Sequence, residues 1–286
     1  MKLISLFLVV LLLLSFGCVS EKPSNPDSAL IMSSFFPVNE MVKGVGGDKF
    51  SYVSLVPSGI EPHDFEPTSG DLRKLSSAKA FFAIGLNFSP FEEKAKENTN
   101  SYFEISKNVE TISTNGKTDP HIWLSPKRMK VIVDNIRSYL SNLDPENAQK
   151  YSENAVSISQ KLDTLDRKFQ RELAFCNKSI ILTSHAAFGY LASDYNFTQI
   201  GISGLDPETE PTPSQIRELI DITKREKIKY IFYEDLVDPR VSQTIASEAG
   251  VDVLELSPLE GSSDNKDYFQ MMEDNLENLK LALECS

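Results

Sequence analysis

The chain has 286 residues, enough for two lobes with their own apolar cores and short for three domains. Apolar residues make up 41% and charged residues 24%, an ordinary globular balance. Its 41 acidic against 29 basic side chains give a formal net charge of -12, which repels phosphate backbones and argues against a nucleic-acid partner.

Lys2 precedes an almost unbroken apolar run from Leu3 to Leu14, followed by Ser15, Phe16, Gly17 and Cys18. A positive start and a short apolar core read as an export signal, too short for a typical membrane span. Cys18, directly after a glycine, resembles the lipid-modified cysteine of bacterial and archaeal lipoproteins; simple cleavage nearby and an uncleaved N-terminal anchor are the alternatives. Residues 1–18 are therefore assigned to a signal or lipoprotein segment. Residues 19–28, polar and proline-bearing, are assigned to a tether.

Residues 29–143 are expected to form a first lobe. Ser51–Val56 reads as a strand closed by Pro57-Ser-Gly59, and Ala80–Ile84 as a buried strand closed by Gly85. Thr68 or Ser69 can cap a short helix through Ala78. Pro126 opens a helix with Met129, Val133, Ile136, Tyr139 and Leu143 on one face. Apolar residues then recur every three or four positions from Ala148 to Leu173, with no internal glycine or proline. Residues 144–175 are thus expected to be one long rigid connecting helix, with Asp144 as cap and Pro145 at its first position.

Residues 176–286 form the expected second lobe. Strand and helix signals alternate there: 179–184, 197–202, 229–233 and 252–256 as strands; 186–195, 213–226 and 238–249 as helices. A last helix carries Tyr268, Met272, Leu276, Leu279 and Leu283 on one face. Such alternation predicts an α/β lobe with a parallel sheet. Cys176 stands just before the first of these strands and Cys285 just after the last helix. A disulfide and two free thiols are both open, since export permits oxidation.

The chain has three histidines. His63 lies in a proline-bracketed loop after the first strand, His121 lies just before a helix, and His185 follows a strand at its C-terminal end, where open α/β sheets bind ligands. Three neutral imidazoles suit zinc and leave a fourth position. Asp64 or Asp119 could orient a ring through its other nitrogen.

Pro62-His-Asp-Phe-Glu-Pro67, Asp119-Pro-His-Ile-Trp-Leu-Ser-Pro126 and Ser184-His-Ala-Ala-Phe-Gly-Tyr190 resemble, in order, three motifs of the zinc- and manganese-binding solute-binding proteins of ABC transporters. The resemblance continues through Glu210-Pro-Thr-Pro-Ser-Gln-Ile216 and Ile231-Phe-Tyr-Glu234. It implies two α/β lobes, each a mainly parallel sheet flanked by helices, joined by one rigid helix with one metal in the cleft. His63 and His121 would come from the first lobe and His185 from the second.

A carboxylate at the third position marks the manganese carriers of that family. His185 stands there, which favours Zn2+ and leaves Mn2+ as the alternative. Where the family often has a metal-binding aspartate, this chain has Ser257, a poor zinc ligand. Water near Ser257 is the favoured fourth ligand, Glu260 is reachable if its loop folds inward, and Glu61 and Glu255 are more remote. Residues Thr111–Thr118 hold no histidine, which excludes an auxiliary zinc-collecting loop.

The resemblance implies a monomeric binding protein, not an enzyme, anchored to the outer face of the cell membrane. It would deliver zinc to an ABC permease. Two other classes stay open: a metal-dependent hydrolase with Glu234 as general base, and an adhesion protein with a structural metal.

Overall fold

The computed structural model describes residues 28–286 except 115, 208 and 262–265. The signal segment, Cys18 and all of the tether but Ser28 lie outside the described residues. No helix among those described is long and apolar enough to cross a membrane.

The first lobe is built on four strands: β1 (Leu30–Ser33), β2 (Ser51–Ser54), β3 (Ala80–Ala83) and β4 (Tyr102–Glu104). They pair in the order β2-β1-β3-β4, all parallel. Inner strand β3 is buried at every position, as a strand covered on both faces must be. Its helices are α1 (Phe36–Gly46), α2 (Ser69–Ser77), α3 (Pro90–Glu97) and α4 (Pro126–Leu143). Thr68 caps α2: its side chain accepts from the Asp71 amide, and Asp71 returns the bond to the Thr68 amide. The short antiparallel pair β5 (Ser113–Thr114) and β6 (Lys117–Thr118) leads into the His121 segment.

The connecting helix is shorter than the sequence suggests. A 3-10 turn, Pro145–Asn147, precedes α5 (Ala148–Glu172). Asp144 does not cap a backbone amide of α5. Its carboxylate instead accepts from the side chains of Asn147 (2.8 Å) and Tyr151 (2.5 Å). Helix α5 buries Tyr151, Ala155, Leu162, Leu165 and Phe169, and it packs on α1, α4 and the last helix. It therefore serves as part of the core as well as a connector.

The second sheet contains β7 (Ile180–Thr183), β8 (Thr198–Gly201), β9 (Tyr230–Tyr233) and β10 (Asp252–Glu255), ordered β10-β9-β7-β8 and again all parallel. Helices α6 (Gly189–Tyr195), α7 (Pro213–Arg225), α8 (Arg240–Ala249) and α9 (Tyr268–Leu283) accompany it. The expected start of α6 at residue 186 is not helical; residues 185–188 turn sharply before it. In α9 the apolar face read from the sequence is buried throughout.

In both sheets the strand order reverses at the centre, between β1 and β3 and between β7 and β9. Crevices open at the C-terminal ends of strands at such a reversal. At the far edge, Cys176 and Cys285 are joined by a disulfide. The Asn177 and Lys178 amides donate to Glu284 and Leu283, so the end of α9 is zipped to the segment entering β7. The bond closes a 109-residue separation, and losing a native disulfide typically costs about 2–5 kcal/mol. Replacing both cysteines by serine should lower unfolding free energy by about that amount in a denaturant titration.

Candidate metal centre

His185 lies two residues beyond the end of β7, and Glu234 directly follows β9, its neighbour across the reversal. Glu234 Oε1 accepts the His185 amide (3.1 Å) and Oε2 accepts from its Nδ1 (2.7 Å). One carboxylate thus fixes both backbone and ring. His121 is held in the same way from the other lobe. Asp119 Oδ1 accepts its amide (2.9 Å) and its Nδ1 (2.7 Å), a short Asx-type turn around Pro120. In both rings Nδ1 is committed to a carboxylate, so Nε2 is the nitrogen left to face a metal.

His63 sits in the loop after β2. Its amide donates to Glu61 Oε1 (3.0 Å), and its ring packs edge-on against Phe88 at 4.8 Å. Its Nε2 is buried with no hydrogen-bond partner among the described residues.

The fourth group is Glu260, in the loop after β10. The loop folds inward through Leu259, whose φ of 57° is left-handed. Glu260 is 1% exposed, and neither carboxylate oxygen has a hydrogen-bond donor among the described residues. Its Oε1 lies 3.4 Å from His63 Nε2, 3.6 Å from His121 Nε2 and 3.8 Å from His185 Nε2, while the last two nitrogens are 3.3 Å apart. One ligand atom from each of the four residues lies within 4.8 Å of every other. A tetrahedron with zinc-ligand arms of about 2.0–2.1 Å has edges of about 3.3–3.4 Å. Four of the donor separations, at 3.3–3.8 Å, are close to those edges, and the whole set lies within 4.8 Å.

Electrostatics divide the cluster. Burial lowers the pKa of His63 and His121, so both are neutral near pH 7 even with Glu61 and Asp119 beside them. Burial pushes His185 the same way, but the carboxylates of Glu234, Glu260 and Glu61 outweigh it and raise the ring to about 9. Glu61 and Glu260 are both raised, first by burial; Glu61 is pushed further by Glu260.

The three predicted histidines are brought together from separate loops. Asp119 is one of the two orienting carboxylates; Asp64 is not, being exposed. Ser257 is not a donor to the cluster. Its hydroxyl accepts from the Leu259 amide (3.1 Å) and donates to Asp235 (3.2 Å). The corner favoured for water is filled by Glu260 Oε1. Glu61 takes the His63 amide and stands beside the Glu260 carboxyl, and Glu255 is turned toward Tyr233. Both oxygens of Glu234 are spent on His185, which removes the general base of the hydrolase reading. Its signal in the sequence was its place at the C-terminal end of a strand.

The family model for ZnuA, described as zinc-uptake complex component A, periplasmic, matches residues 31–282. The chain belongs to this family. It is 34% identical over 290 residues to the "Zinc-binding protein AdcA" of Streptococcus pyogenes serotype M1, covering 90% of this chain and 56% of that protein. It is 32% identical over 309 residues to the "Zinc-binding lipoprotein AdcA" of Streptococcus pneumoniae R6, covering 98% and 61%. The chain thus spans well under two thirds of these relatives. Among solved structures, the laminin-binding protein Lmb of Streptococcus agalactiae, described as bifunctional with adhesin and metal-transporting activity, superposes with a TM-score of 0.84 at 32% identity over 89% of this chain and 99% of that one.

This chain is thus a ZnuA-family member. Its centre also depends on a close approach from the second lobe. A Cβ on Gly189 would lie 2.9 Å from Asp119 Oδ2 and 3.1 Å from Ile112 Cδ1. Gly189→Ala should therefore displace the carboxylate that orients His121, costing about 1–3 kcal/mol of overpacking. Thermal melting of the metal-free protein reads this cost directly.

Proposed function

We propose that this chain captures one Zn2+ between its two lobes through His63, His121, His185 and Glu260, and delivers it to an ABC permease. The observation that carries this reading is the buried N3O set, three imidazole nitrogens and one carboxylate oxygen within 4.8 Å of one another. Such a set favours zinc over manganese, which prefers more oxygens in octahedral geometry. The zinc-binding names of the AdcA relatives and the zinc-uptake family support the same ion.

Capture needs no chemical step. The four donors come from loops of both lobes, so zinc stabilises the arrangement in which the lobes meet. By linkage, a permease that favours the separated arrangement lowers zinc affinity and promotes release. In this reading the chain works as a monomer outside the cell, tethered through Cys18 to the outer face of the membrane. The lipoprotein name of one AdcA relative supports the tether.

If the four donors share a binding free energy of about 10–16 kcal/mol, losing one costs roughly 3 kcal/mol, or about 100-fold in affinity. His185→Ala and Glu260→Gln should each show a loss of that order in competition with a chromophoric chelator. Wild type should prefer zinc to manganese in the same assay. A preference for manganese would overturn the assignment.

Zinc must also displace protons. His185, raised to about 9, carries a proton at pH 7, and the raised carboxyls of Glu260 and Glu61 hold part of theirs. Calorimetry in buffers of different ionisation heat should find about one or two protons released per zinc at pH 7, with affinity rising toward pH 9. The stability of the metal-free protein runs the opposite way. A His185 pKa above its unfolded value of about 6.5 stabilises the fold fully below that pH, and the contribution is lost as pH rises through about 9.

A further inference from the structure

Building on the zinc reading, the geometry points to Trp123 as a positioning residue that latches Glu260 into the fourth corner when the lobes meet. Trp123 lies in the 3-10 turn Ile122–Leu124, two residues after His121. It is wholly buried, and it packs edge-on against Phe35 (4.9 Å) and Phe88 (5.3 Å) of the first lobe. Its indole Nε1–H reaches across to donate to the Pro258 carbonyl at 2.7 Å. Its own carbonyl accepts from the buried Tyr268 hydroxyl of α9 at 2.8 Å. One residue of the first lobe is therefore bonded twice to the second, once within the turn that carries Glu260.

The turn needs such a hold. No backbone N–H or hydroxyl among the described residues donates to the Glu260 carboxylate; its polar neighbours are the three ring nitrogens and the Glu61 carboxyl, so the path of the turn decides whether it reaches the corner. From its own lobe the turn is clamped at one end: Asn275 exchanges two bonds with the Ser257 main chain (2.9 and 2.7 Å), and the Ser257 hydroxyl accepts from the Leu259 amide (3.1 Å). Pro258 has no amide to contribute, and its carbonyl goes to Trp123. The indole bond can form only when the first lobe, with His63 and His121, is docked. The carboxylate ligand and the two histidines of the opposite lobe then come into register through the same contact. Separating the lobes breaks the indole bond and frees the turn at the moment the ion is to leave.

Trp123 is the single tryptophan of the chain, so its indole N–H is one unambiguous resonance. Two measurements test the latch. In chelator competition, Trp123→Phe keeps most of the ring packing and removes the N–H; it should weaken zinc binding about 10-fold, the cost of an unpaired buried carbonyl. The Trp123→Phe/Glu260→Gln double variant should bind no more weakly than Glu260→Gln alone, because the latch acts through that carboxylate. In the wild type, zinc should slow exchange of the indole proton at least about tenfold, and in Glu260→Gln saturated with zinc it should do so far less. Losses that multiply in the double variant, or indole exchange indifferent to zinc in the wild type, would overturn the latch while leaving zinc capture standing. A wild type that takes up no zinc would instead sink the metal reading and the latch with it.

Discussion

The centre rests on one constraint: an imidazole buried among other imidazoles must be told which nitrogen to present. At His121 and His185 a single carboxylate does this by taking both the amide and the Nδ1 of the same residue. Ring rotation and tautomer are set together, and both Nε2 atoms are aimed at one point. Glu260 has no such support. It sits against three ring nitrogens, and burial raises its carboxyl against the pull of His185 and His121. A dication would offset most of the negative charge that Glu260, Asp119 and Glu234 bring into this buried cluster.

The fold serves this constraint through its two sheet reversals. His185 and Glu234 stand at the ends of neighbouring strands whose connections run in opposite directions, the one place in the second sheet where two loops can face each other unobstructed. The first lobe supplies its pair from longer loops, and polar contacts between lobes keep these in place. Tyr190 of α6 donates to the Asp119 carbonyl at 2.6 Å, and Arg128 of α4 pairs with Asp194 of α6 at 3.0 Å. Helix α5 lies under both lobes, and the disulfide ties down the end of α9.

The architecture was readable because each lobe alternates apolar four-residue strands with amphipathic helices, and that periodicity follows directly from burial on one face or two. Strands β1 and β4 were not readable. Strand β4 spans only three residues, and both depend on neighbours for their pairing. Residues 144–147 read as the start of a helix because Asp-Pro is a strong local signal. Asn147 and Tyr151 capture the aspartate first, and the helix begins a turn later.

The residues of the centre divide along the same line. Three histidines in proline-rich loops and at a strand end were visible in the chain itself, since imidazole is the donor zinc prefers and each stands where a backbone turns. Their convergence was not visible, because positions separated by 58 and 64 residues in sequence meet only through the packing of two sheets. The fourth donor shows the limit most clearly. By sequence, the aspartate position held by Ser257 left a corner for water or, if its loop folded inward, for Glu260. In the fold, Ser257 braces the turn, Leu259 adopts a left-handed conformation, and Glu260 swings into that corner three residues later. Residue identity determined which ligand chemistry was possible; only the path of the backbone decided which carboxylate arrives, because a side chain reaches wherever its turn aims it.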